Sequence, residues 1–98
     1  MPYTLPLPRR LAGSWRVKIY DNERLEVPHV TIVRGHDSWR INLRTMAFMD
    51  ERPSPKDIHK KVRQAVQENW QLLQREWNRI HPGNPIEARE EENDIEDG

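Results

Sequence analysis

The chain has 98 residues, of which 35% are hydrophobic and 33% charged, with 16 Lys+Arg against 16 Asp+Glu, 4 Trp, 8 Pro and no Cys. That length holds one small domain whose folding removes only about 60% of the unfolded surface, which leaves no room for a large cofactor cavity. The lack of cysteine excludes a disulfide framework, a thiolate zinc site and a Cys nucleophile. No apolar run approaches the ~20 residues of a membrane span, and no signal-type stretch opens the chain, so the expectation is a cytoplasmic protein without membrane contact.

The balance of charge conceals a division. Glu87 to Gly98 holds seven acidic residues and one basic residue, Arg89, so the remainder is basic. The reading in chain order is a proline-rich N-terminal segment over 1–13, a single domain over 14–85 and a disordered acidic tail over 86–98. Pro2, Pro6 and Pro8 favour extended or polyproline backbone in the first segment. Glu87 to Gly98 has only Ala88 and Ile95 as apolar residues, too few to offset the entropy of ordering.

Trp15 to Tyr20 alternates strictly, with Trp15, Val17 and Ile19 on one face and Arg16, Lys18 and Tyr20 on the other. Asp21-Asn22 marks a turn, and Val27 to Val33 follows as a second strand, with Pro28 near its start. Arg34 to Asp37 is a hairpin connection in which Gly35 supplies positive φ, and Ser38 to Arg44 is a third strand with Trp39, Ile41 and Leu43 facing inward. Thr45 to Asp50 reads as a fourth short strand or an irregular edge.

Ser54 as N-cap, Pro55 at the first position and Asp57 after it start a helix. Ile58, Val62, Ala65, Val66, Leu72, Leu73, Trp77 and Ile80 continue it at helical spacing, and His81-Pro82-Gly83 ends it. The fold class is α+β: an antiparallel three- to four-stranded sheet with one long C-terminal helix packed on one face. A helix over 55–80 is about 39 Å long against strands of ~20 Å, so its C-terminal end, with Trp70, Leu73 and Trp77, overhangs the sheet. Those three are the partner-interface candidates, covered by the N-terminal segment, a second copy in a homodimer or another protein.

Pro28-His29-Val30-Thr31-Ile32 on a strand, the strand after Arg34-Gly35, and a helix bearing Asn69, Leu72, Leu73 and Trp77 resemble a family of small bacterial domains of unknown function. That family is marked by a Pro-Pro-His-Phe/Val-His-Val/Ile strand and a following helix with Asn and Trp near its end. The resemblance spans roughly Trp15 to His81, with Val27 in place of the first Pro and Thr31 in place of the second His. It implies a bacterial cytoplasmic α+β domain, often encoded beside a second small gene in arrangements suggestive of toxin–antitoxin pairs, with no established activity.

Three functions compete. The first is a non-catalytic protein-interaction module of a toxin–antitoxin-like pair. The second is a nucleic-acid-binding domain that uses the basic sheet face of Arg16, Lys18, Tyr20, Arg40 and Arg44, since Arg and Lys carry most sequence-independent affinity for phosphate backbones. The third is a small ribonuclease with His29 as its weak catalytic candidate, joined by His36 if the hairpin brings the two together. The histidine spacing offers no metal ligand pair, and no cofactor is expected.

Overall fold

The computed structural model describes residues 2–22 and 25–86. Its elements are β1 (Tyr3–Thr4), α1 (Arg9–Ala12), β2 (Trp15–Ile19), β3 (His29–Arg34), β4 (Asp37–Asn42), a 3-10 turn (Pro55–Asp57), α2 (Lys60–Glu68) and α3 (Trp70–Ile80). The four strands form one antiparallel sheet in the order β1-β2-β3-β4, so the class is α+β. No helix among the described residues is long and apolar enough to cross a membrane.

Alternation places the core as the sequence reading had it. Trp15, Val17 and Ile19 are buried, and the register sets Val17 beside Ile32, Ile32 beside Trp39 and Val30 beside Ile41 on the same face. Ile58, Val62, Val66, Leu73 and Trp77 complete this core from the helical side. β3 is interior to the sheet, and His29, Val30, Thr31 and Ile32 are all buried. Gly35 supplies the positive φ, 59°, of the connection between β3 and β4.

Segment 45–50 is an edge rather than a fourth full strand. Asn42 Oδ1 accepts from the backbone of Arg44 at 2.7 Å and of Thr45 at 3.1 Å, which turns the chain, and Met46 takes a φ of 69°. The returning segment then pairs with β4 only through the bridge between Ile41 and Phe48.

The N-terminal segment is extended at Tyr3–Thr4 and departs from that reading only at Arg9–Ala12. Tyr3–Thr4 pairs with β2, the Leu5 amide donates to the Val17 carbonyl at 2.9 Å, and Arg9–Ala12 makes one helical turn on the Pro8 carbonyl. Leu5 and Leu11 are buried in the common core, and Tyr3 and Leu7 pack against it. The prolines set the local backbone, whereas the apolar residues between them set where the segment goes. The tail expected over 86–98 lies, from residue 87 onward, outside the described residues; Ile86 itself is buried.

The long helix is replaced by three pieces. Ser54 caps only the 3-10 turn, its Oγ accepting from the Lys56 amide at 3.2 Å, and Ile58 then goes extended with ψ 131°. His59 caps α2, with Nδ1 accepting from the Lys61 amide at 3.0 Å. At Asn69 the backbone turns out of helical geometry (φ −110°, ψ 24°), and the side-chain Nδ2 donates to the Ala65 carbonyl at 2.8 Å. Asparagine competes for its own helix's backbone in this way, which makes it a natural break.

That division removes the overhang. The 11 residues of α3 extend about 16 Å at 1.5 Å each, a match for strands of five or six residues. Leu73 and Trp77, expected at an exposed helix end, are therefore core residues with no exposed surface, and of the three interface candidates Trp70 alone is only partly buried.

The C-terminal turn closes over this end. Trp77 Nε1 donates to the Asn84 carbonyl at 2.7 Å, His81 lies with its ring centroid 3.9 Å from that of Trp77, and Asn84 Nδ2 donates to the Glu26 carbonyl at 2.7 Å. Trp77→Ala removes the largest contribution of α3 to the core and should cost about 3–5 kcal/mol. In urea titrations this is a lower midpoint with an unchanged slope.

Candidate functional site

The four histidines are distributed rather than gathered. His29 is fully buried at the start of β3, where Nδ1 lies 2.7 Å from the Val27 carbonyl, so that nitrogen carries the proton and donates. His36 is exposed in the turn beyond the other end of the six-residue β3, which separates the two by roughly 20 Å at the rise of a strand. His59 caps α2 through its Nδ1. His81 is buried, with Nε2 donating to the Tyr20 carbonyl at 2.7 Å. His29, His59 and His81 each have a structural task at a different place, and no group of three or more His, Asp or Glu among the described residues is placed to hold a metal ion.

The sheet face opposite the core does collect cations. The register aligns Lys18 with Thr31 and Thr31 with Arg40, and places Arg16 along the same face of β2. Tyr20 continues that side, with Lys18 Nζ 5.3 Å from its ring centroid. Arg44 stands beyond β4, where its guanidinium reaches to 3.5 Å from the Pro85 carbonyl. Arg40 is held by Asp50 in a two-pronged contact, Nε to Oδ2 at 3.0 Å and a terminal nitrogen to Oδ1 at 2.7 Å, with Glu26 a further 3.9 Å away. The face is thus less positive than its sequence, since the acids that neutralise Arg40 come from outside the strand.

The hydrogen bonds from Arg40 hold the Asp50 carboxyl below its ordinary range, against the opposing effect of partial burial. A carboxyl depressed in the folded state adds stability that is complete above its unfolded value, about 3.9, and is lost as pH falls through the folded value. The pair is partly exposed, so Asp50→Asn should cost no more than about 1 kcal/mol at neutral pH. The same variant should show a flatter decline of stability below about pH 4 in acid titrations followed by tryptophan fluorescence.

A feature that sequence periodicity did not isolate lies at the break between α2 and α3. Ile41, Met46, Phe48, Val66 and Trp70 line a notch of about 50 Å³, with Arg63 and Gln67 at its rim. Met46 is 47% exposed, and Phe48 and Trp70 are partly buried. Trp70 occupies this position because the turn at Asn69 starts a new helix there; a continuous helix would not place that bend beneath it.

The charges around the notch differ from those of the sheet. Among the described residues the ion pairs engage Arg34, Arg40 and Arg79, and none engages Lys60, Lys61, Arg63 or Arg75. α2 carries one carboxylate, Glu68, which accepts from Gln64 Nε2 at 3.3 Å. The outer surface of α2 is therefore a second cationic face. The sequence signal for it was the run Lys60-Lys61-Val62-Arg63, in which only Val62 is buried.

No curated protein and no solved structure matches the chain. The sequence pattern described as "Domain of unknown function (DUF4160)" matches residues 14–78, from the residue before β2 to the last turns of α3, and the chain belongs to that family.

Proposed function

We propose that the chain is a non-catalytic protein-interaction module, one half of a bacterial toxin–antitoxin-like pair, that engages its partner through the surface at the α2–α3 break. One observation carries this reading. Trp70 stands partly exposed beside Phe48 and Met46 at an apolar notch with Arg63 on its rim. Aromatic residues, Met and Arg are the residue types enriched where protein interfaces concentrate their energy. Leu73 and Trp77 contribute indirectly, by fixing α3 to the sheet so that Trp70 is presented in one orientation.

The nucleic-acid reading on the sheet face has less support, because Arg40 is neutralised and Arg44 is directed to Pro85. The ribonuclease reading has less again, since His29 has no exposed surface.

The test is co-expression of the chain with the product of the adjacent small gene, followed by affinity measurement on the purified pair. Trp70→Ala should weaken the complex by about 30-fold or more, the loss typical of a hot-spot residue. Its melting temperature should stay close to that of the parent, and Arg16→Ala should leave affinity unchanged. A complex indifferent to Trp70→Ala, or one abolished by Arg16→Ala, overturns the reading.

A further inference from the structure

The outer surface of α2 has cations at both margins and amides between them. At about 100° of turn per residue, Lys61 and Arg63 fall on either side of the buried Val62, and Lys60, Gln64 and Gln67 fill the outward arc that joins them. All five are exposed, and Lys60, Arg63, Gln64 and Gln67 line one open depression. Among the described residues no hydrogen bond or ion pair engages the side chains of Lys60, Lys61, Arg63 or Gln67. The one carboxylate of the helix, Glu68, stands at its last position and accepts from Gln64.

These residue types select the partner. A protein interface is built around an apolar centre, and the depression has no apolar residue in its lining. A nucleic acid asks instead for Arg and Lys against phosphates and for side chains that pair with base edges, as a Gln carboxamide does with adenine and a Lys with guanine. The dimensions agree. A helix with its side chains is about 10–12 Å across and the major groove of B-form DNA about 12 Å wide, while the nine residues of α2 extend about 13 Å. Val62 and Val66 anchor the helix from the opposite side, so docking there leaves the core intact. The sheet face is the poorer match, because Glu26 and Asp50 already answer Arg40.

We infer that α2 docks in the major groove of duplex DNA, with Lys61 and Arg63 on the phosphates of the two rims and Lys60, Gln64 and Gln67 toward the base edges. This surface adjoins the notch and shares Arg63 with it. The inference does not depend on the notch having a protein partner.

The test titrates the full chain into a fluorescein-labelled DNA duplex of random sequence, followed by anisotropy between about 50 and 200 mM salt. Two phosphate contacts give a log–log salt slope of about −2 and an affinity loss of roughly 10-fold over that range. Lys61→Ala and Arg63→Ala should each reduce the slope by about 1, while Trp70→Ala and Arg16→Ala leave it unchanged. Glu68→Gln should tighten binding, since it removes the one carboxylate of the docking helix. An RNA duplex should bind more weakly, because the A-form major groove is too narrow to admit side chains. All these residues but Trp70 are exposed, so the melting temperatures of their variants should match that of the parent.

Absence of binding at about 50 mM salt overturns the inference, and so does a slope indifferent to both Lys61→Ala and Arg63→Ala. Loss of binding in Arg16→Ala moves the contact to the sheet face and overturns it as well. Displacement by poly-glutamate as effective as by unlabelled duplex assigns α2 to an acidic protein partner, and equal affinity for single-stranded DNA removes the groove; either result overturns the inference. Partner affinity in the co-expressed pair is a separate readout, sensitive to Trp70→Ala and not to Lys61→Ala, so the two claims fail independently.

Discussion

Burying an indole leaves one N–H that must find an acceptor, and at Trp77 that requirement organises the C-terminal part of the fold. The acceptor is the Asn84 carbonyl, so the chain must turn back after α3 to deliver it. The turn brings His81 against the indole and lets His81 reach the Tyr20 carbonyl, while Asn84 reaches the Glu26 carbonyl. Two places in the stretch between β2 and β3 are thereby fastened to the end of α3. The interior strand β3 starts directly after that stretch, with His29 5.8 Å from the Trp77 ring.

This arrangement fixes the positions of His29 and His81. His29 and His81 both donate to main-chain carbonyls, bonds that hold whichever side chain the acceptor residue carries. Val27 therefore serves as well as another residue would in accepting from His29. The partly exposed Trp70 and, among the described residues, the cations of α2 that make no ion pair lie instead at the periphery.

Legibility in the sequence followed the range of the determining interaction. β2 was plain because Trp15, Val17 and Ile19 report a local alternation, and the Gly35 turn because its backbone demand is local. The break at Asn69 was hidden: Val62, Val66, Leu73 and Trp77 keep helical spacing across it, since both helices face one core, and the interruption lies in the backbone turn at Asn69 and its side-chain bond to Ala65. In the N-terminal segment the prolines spoke for extended backbone, present at Tyr3–Thr4, while Tyr3, Leu5, Leu7 and Leu11 carried the information on packing. The neutralisation of Arg40 depends on Asp50, brought to it by the turn at Asn42 and Met46, a relation that no period within β4 encodes. The notch was equally non-local, drawn from β4, the edge segment and both helices.

The order of the sheet also bears on how the chain reaches this state. Every strand is hydrogen-bonded only to its sequence neighbour, so loop closures are short and their entropy is small. A nascent chain can pair its strands soon after Asn42 leaves the ribosome, but the cover of the face bearing Val17, Ile32 and Trp39 stays incomplete until Ile58, Val62, Val66, Leu73 and Trp77 have emerged. During that interval the chain presents an assembled apolar sheet to whatever attends its synthesis, the kind of surface on which chaperones act.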